Sequence, residues 1–322
     1  MKLLPSFWFT LVFSRSRIWS AELLDSKVME ELFTGEFFDP CIFLSGLNPD
    51  DIVDYVISSY TVNMSYIEAV FWHPNLRIYC DKKSIETEHI SDDERNRIHF
   101  IDVGKGIYHP KFVLITTQNT LRLVITTCNF TKMILNCQND YYRMTTKLKT
   151  TNYNIQQENE YIFSRFLKHY GIKLVNDITK YDWSGISARF LVNIPYGEYT
   201  HVGLYSQYTE GMHFDNVQIQ TSAISFYGWD PLGTFRTDRI EYIYFENYGD
   251  FKELNCYAFA NMIENERIKK IHKRYNTPYH YKRYLIYNND KIYFILTSAN
   301  FTRQAWLGTN TELGIMIELK KT

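Results

Sequence analysis

The eight residues YHPKFVLI, ending at Ile115, return as YHYKRYLI, ending at Ile286, with Tyr, His, Lys, Leu and Ile at the same offsets. A chain that spells one segment twice, far apart, is expected to be built from two similar halves, and that constraint outranks any local propensity. The correspondence runs on downstream. Asn129-Phe130-Thr131-Lys132 follows the first copy and Asn300-Phe301-Thr302-Arg303 the second, and each Asn lies 20 residues after its histidine, His109 or His280. Lys111 and Lys282 each sit two residues after their histidine. Each half therefore carries one trio, His-x-Lys and then Asn.

The spacing has a geometric reading. Residues i and i+2 of a strand point to one face, so His-x-Lys presents an imidazole and an ammonium side by side. The following strand, after its turn, ends in Asn, whose amide can reach the same pocket. Two such halves about a pseudo-two-fold axis would face two imidazoles, two ammoniums and two amides into one cleft. That set suits a phosphodiester: Lys and Asn hold the non-bridging oxygens as charge grows, one His attacks phosphorus, and the other gives a proton to the leaving oxygen. No carboxylate cluster accompanies the trios, so catalysis without metal ion or cofactor is expected. The plainer alternatives are histidines satisfied in the core, solvated lysines, or a duplication that is a relic of gene fusion with no chemistry left. Asn63-Met64-Ser65, Asn129-Phe130-Thr131 and Asn300-Phe301-Thr302 also fit the N-glycosylation pattern.

Composition excludes some classes. The 322 residues carry 35 Lys and Arg against 36 Asp and Glu, a formal charge of −1, which is not the balance of a protein that coats nucleic acid non-specifically. Any polyanion must meet a local patch. Cys41, Cys80, Cys128, Cys137 and Cys256 are odd in number and form no CxxC pair, so a zinc site or disulfide framework is not expected and a reducing compartment is. No apolar run reaches the length of a membrane span. The N-terminal MKLLPSFWFTLVF reads either as a buried first strand or as a signal peptide.

A pass along the chain predicts a helix opened by Asn48 and Pro49, short strands in IEAVFW and LRIYC, and a charged loop in ETEHISDDERNR. Two strands flank a turn at Gln118-Asn119, and a helix places Ile162, Phe163, Phe166, Leu167 and Tyr170 on one face before Gly171. VQIQTSAISFYGW reads as strand and turn, FKELNCYAFANMIENERIKKIHKRY as a long helix with a basic end, and the second hairpin turns at Asn288-Asn289-Asp290. The fold class is α/β, two similar domains over 1–150 and 151–322, each a mixed sheet between helices.

The paired trios resemble the phospholipase D superfamily. In most of its members Asp follows each His-x-Lys after four intervening residues; here Thr116 and Tyr287 stand there. The Asn that follows each histidine instead resembles the tyrosyl-DNA phosphodiesterase branch. LTSANFTRQAWLG followed by TELGIMI is similar to that branch's second motif, and DIVDYVISSYTVNMSYIEAVF, YDWSGISARFLVNIPYG, VQIQTSAISFYG and FWFTLVF are similar to further segments. The resemblance implies that His109 is the nucleophile, that His280 is the general acid and then the base for water, and that Lys111, Lys282, Asn129 and Asn300 bind phosphate. Glu312 would orient a histidine, and Ser298 and Ser222 would lie beside the substrate. Asp140 stands where the family has a Gln supporting a histidine. The implied substrate is a DNA 3′ end, single-stranded or nicked, bearing a tyrosyl-peptide adduct. A nuclear monomer is implied, with mitochondrion or cytoplasm as alternative locations and no membrane partner. Another phosphodiesterase of the superfamily, a nuclease or phospholipase, and an inactive DNA-end-binding relic are the competing readings. The basic run Lys269, Lys270, Lys273 and Arg274 offers one place for a DNA backbone.

Overall fold

The computed structural model describes residues 17–21, 28–36, 39–84, 91–132, 137–149, 157–225, 229–245, 265–273, 280–288 and 291–320. The first sheet holds β1 (Arg17–Ala21), β2 (Val28–Glu36), β3 (Ile52–Ser59), β4 (Leu76–Asp81), β5 (Ile98–Ile101), β6 (Phe112–Thr117), β7 (Thr120–Thr126) and β8 (Asn139–Lys147), in the order β1-β2-β8-β7-β6-β3-β4-β5. The second holds β9 (Arg189–Asn193), β10 (Asn216–Thr221), β11 (Ile240–Phe245), β12 (Ile268–Lys273), β13 (Arg283–Asn288), β14 (Lys291–Thr297) and β15 (Glu312–Lys320), in the order β12-β11-β10-β13-β14-β15-β9.

The two orders are one pattern written twice. Reading β5-β4-β3-β6-β7-β8-β2 beside β12-β11-β10-β13-β14-β15-β9, the first two pairings are parallel and the remaining four antiparallel in both sheets. The duplicated octet is thus β6 and β13, each with the residues that lead into it. The fold is the expected α/β pair of similar mixed sheets with flanking helices. Those helices are α1 (Cys41–Leu44), α2 (Met64–Phe71), α3 (Asp92–Arg97), α4 (Glu158–His169), α5 (His201–Tyr208), α6 (Pro231–Phe235) and α7 (Arg303–Trp306).

Alternation along β6 divides the core. Phe112 and Leu114 face a cluster that continues into the second half through Phe163, Phe190, Leu296 and Ile315. Val113 and Ile115 face the opposite layer with Phe43, Ile67 and Phe71. A strand apolar on both faces is a covered central strand, as its sequence predicts. The halves meet beside the first histidine, where Tyr108 bridges Thr311. Gly106 makes that approach feasible, because a Cβ there would lie 1.7 Å from the Thr309 carbonyl oxygen.

Several local expectations are corrected. Asn48 does cap a turn, but only the 3₁₀ turn Pro49–Asp51, before the chain becomes β3. IEAVFW belongs to α2: Asn63 Oδ1 accepts the Tyr66 N–H, and Tyr66, Ile67 and Phe71 bury one helical face. The charged loop contains α3, opened by a capping box in which the Ser91 hydroxyl accepts the Glu94 N–H and Glu94 reaches back. Residues 268–273, expected as the basic end of a helix, are β12, paired in parallel with β11 through Ile268 and Ile271. Residues 265–267, also expected as helix, form a turn; Arg274, the opening strand in FWFTLVF, the turn at 289–290, residues 251–264 of the long helix and the domain boundary at 150 lie outside the described residues. The first sheet draws on residues 17–147 and the second on residues 189–320.

Candidate active site

His109 lies just before β6 at the joint between halves. Its backbone N–H donates to the Thr311 carbonyl, and its ring Nδ1 bonds the Glu312 carboxylate of the other half at 2.9 Å. Glu312 is itself fixed: the Ser298 hydroxyl donates to Oε2 and the Asn310 amide to Oε1. With Nδ1–H given to Glu312, Nε2 keeps its lone pair. Lys111 is fully buried and donates to the His109 carbonyl at 2.8 Å.

His280 lies just before β13 and is held by the first half. Its N–H donates to the Gln138 carbonyl, and its ring Nδ1 donates to the Thr127 carbonyl. Lys282 Nζ is 3.1 Å from the same ring and 3.4 Å from the Thr127 oxygen. Each histidine is therefore oriented by the opposite half. The charges meet as well, since Lys282 acts on His109, and Lys111 and His109 both act on His280.

The Asn residues close each trio. Asn300 Oδ1 accepts the Ser222 hydroxyl at 2.8 Å, whereas Asn129 Oδ1 is buried without a partner. The difference follows from the repeat. Ser59 and Thr221, at the ends of β3 and β10, play one part: each hydroxyl accepts the N–H of the Phe that follows the Asn. The residue after each is Tyr60 in one half and Ser222 in the other. Ser222 holds Asn300, while the Tyr60 ring lies edge-on to His109 at 5.5 Å. Tyr60 and Thr127 escape a motif search, the first because no repeated letter marks it, the second because it acts through its backbone.

The same comparison corrects Asp140. Thr127 Oγ1 accepts the Asp140 N–H as Ser298 Oγ accepts the Leu313 N–H. The counterpart of Glu312 is therefore Asn139, one residue earlier. Asn139 is buried and its amide donates to the Cys137 carbonyl. Asp140, on the opposite face of β8 by strand alternation, accepts the Gly35 N–H and pairs with Arg283. It bonds neither imidazole directly and, being fully buried, lines no substrate surface. Ser298 and Ser222 hold Glu312 and Asn300 in place.

Burial shapes the electrostatics. It pulls the His109 imidazole down to about 4, against the opposing pull of Glu312. Burial, then Lys282 and Lys111, depress His280 well below its usual range. Lys111 is lowered by burial and by Lys282. Burial alone would raise Glu312, but His109, Lys111 and Ser298 hold it below the usual carboxylate range. Lys111 and Lys282 bring positive charge to both imidazoles, and an anion placed among them would relieve it. Among the described residues no three His, Cys, Asp or Glu side chains are grouped as metal ligands.

Behind Glu312 lies a third buried imidazole, His201 at the start of α5. It bonds the Thr297 hydroxyl at 2.8 Å, and burial lowers it to about 4 from 6.5. Between those values the unfolded chain binds more protons than the folded one, so stability rises with pH across the window and falls on acidification. One such group is worth up to about 3 kcal/mol. His201→Asn should flatten the dependence of unfolding free energy on pH between about 6.5 and 4, measured by denaturant titration. Parallel curves for the two proteins would contradict this.

A family model described as tyrosyl-DNA phosphodiesterase matches residues 44–214, just over half of the chain. No curated protein matches. Among solved structures, the yeast tyrosyl-DNA phosphodiesterase is similar at 14% identity and TM-score 0.66, over 92% of this chain and 90% of that one. A histidine variant of the same yeast protein is similar at 16% identity and TM-score 0.65, over 92% and 89%. The polyphosphate kinase of Porphyromonas gingivalis is similar at 14% identity and TM-score 0.57, over 94% of this chain and 48% of that one.

Proposed function

The chain belongs to the tyrosyl-DNA phosphodiesterase family, and we propose that it hydrolyses the ester joining tyrosine to a DNA 3′-phosphate, through a phosphohistidine and without a metal ion, in repair of 3′ ends. Its enzyme class, a phosphodiesterase hydrolase acting on DNA-linked substrates, follows from the family. One observation carries the finer reading: the His109 ring bonds Glu312 of the second half, and the His280 ring bonds Thr127 of the first. Two chemically different imidazoles are thereby offered to one anion.

In this reading the phosphodiester settles between Lys111 and Lys282. Its negative charge offsets the ammonium charges that depress His280, so that imidazole can carry a proton on Nε2. His109 Nε2 attacks phosphorus, and Glu312 stabilises the cationic ring that results. The P–O bond to tyrosine breaks and the phenolic oxygen takes the His280 proton. Water then gives a proton back to neutral His280 and attacks phosphorus. The P–N bond breaks, leaving a 3′-phosphate and free His109. Asn129 and Asn300, with the two lysines, hold the non-bridging oxygens throughout. The substrate is a single-stranded or nicked 3′ end carrying a tyrosyl peptide; a monomer holds both halves of the site, and the nucleus is the place of action.

The test is a 3′-phosphotyrosyl oligonucleotide incubated with the protein in EDTA. Release of tyrosine with a 3′-phosphate product is expected. Cleavage only at internal DNA linkages or at phospholipid headgroups would replace this reading with another.

A further inference from the structure

The two halves differ in one buried pair at their joint. Asp140 on β8 is fully buried, Arg283 on β13 is 2% exposed, and they meet across the joint at 3.0 Å. The counterpart of Asp140 is Leu313, and that of Arg283, by the repeat, is Phe112. At one of these two related places in the joint the side chains are apolar members of the core, and at the other they form an ion pair. Burying two charges costs free energy that their attraction need not recover, and apolar replacements are often at least as stable. A stability role alone does not account for the pair.

Its position suggests another role. Arg283 directly follows Lys282, and its Nε donates to Gln220 Oε1 at 2.7 Å. Its guanidinium lies 4.2 Å from the centre of the Tyr281 ring. Tyr281 OH in turn donates to Gln138 Oε1, and the His280 N–H donates to the Gln138 carbonyl. Asp140 is tied to Thr127 in both directions: its N–H donates to Thr127 Oγ1, and its carbonyl accepts the Thr127 N–H. The ion pair thus joins the first residue of β13, directly after His280 and Lys282, to the residue bonded to Thr127, whose carbonyl orients the His280 ring. His109 has a carboxylate for this purpose. His280 has only a backbone oxygen, whose place depends on how β8 and β13 are docked.

We propose that Asp140 and Arg283 are positioning residues for His280, setting its ring against the Thr127 carbonyl so that it serves the leaving group and then water. The catalytic arms of the test rest on the proposed function; a spectroscopic arm does not. The informative variant is the double substitution Asp140→Leu with Arg283→Phe, which copies Leu313 and Phe112 and removes both charges together. Asp140→Asn serves as a second, milder variant should the first fail to fold.

Two thymidine 3′-phosphate esters separate the steps. The 4-nitrophenyl ester expels a good leaving group and needs no acid in the first step; the tyrosyl ester needs one. The double variant should lose at least about 10-fold more on the tyrosyl ester than on the 4-nitrophenyl ester, the lower edge of the range for general acid–base catalysis. It should also break down its covalent adduct more slowly than native protein, with a melting temperature close to native. In ¹⁵N-edited NMR the His280 ring proton bonded to Thr127 should shift upfield or vanish by exchange. Native rates on both esters and an unchanged ring proton in a folded variant would overturn the inference. Should native protein cleave neither ester, the proposed reaction fails, while the ring proton still decides whether the pair positions His280.

Discussion

A His109→Ala variant is expected to lose cleavage of a 3′-phosphotyrosyl oligonucleotide by at least about 10⁴-fold, the scale on which removing a covalent nucleophile acts. With Nδ1 committed to Glu312, the ring offers Nε2 alone to phosphorus, and Lys111, Asn129 and the second trio cannot supply that lone pair. Alanine also strands the Glu312 carboxylate, which is fully buried and keeps only the Ser298 and Asn310 bonds. Leaving a buried charge short of its partner can cost about 3–5 kcal/mol, so a folding defect would confuse the result. His109→Gln keeps an N–H donor near Glu312 without a nucleophilic ring. It should melt close to native protein yet be as inactive as the alanine variant. Native-like turnover by a folded His109→Gln protein would place the nucleophile elsewhere.

That prediction could be framed from the letters because a repeat is a long-range signal. A matched His-x-Lys and Asn at one spacing in both halves needs no knowledge of which strands pair, and each histidine does bond a residue of the opposite half. Glu312, Ser298 and Ser222 were reachable through the resemblance. What stayed hidden depends on partners far along the chain. Ile268 and Ile271 stand in register with Ile240 and Ile243 of β11, and nothing within residues 251–275 announces that neighbour, so the helical reading failed at residues 268–273. IEAVFW reads as extended because most of its residues are apolar; the Asn63 cap decides for helix. Asp140 was misjudged by one residue of strand register, which sends a side chain to the opposite face. The carbonyl of Thr127 could not be read at all, since a backbone acceptor carries no residue signature. The repeat locates the chemistry, while the asymmetry that tells the two imidazoles apart emerges only from docking one half on the other.

That asymmetry makes the second large effect specific to His280. In a His280→Asn variant, the amide can still donate to the Thr127 carbonyl, but no group remains to protonate tyrosine or to take a proton from water. Departure of a phenolate whose acid has a pKa of about 10 is slow but feasible, so the first step should fall by about 10²–10⁴-fold. Water attack on the phosphohistidine is then left without a base, and protein bound to DNA through His109 should accumulate. The adduct should appear on denaturing gels as a band carrying both protein and oligonucleotide. It should be labile to acid, as a P–N bond is, and stable to mild base. The double variant His109→Gln with His280→Asn should give none. An adduct that persists in the double variant would mean that another side chain attacks phosphorus. A His280→Asn protein that turns over at the native rate with no adduct would mean that the second imidazole serves neither step.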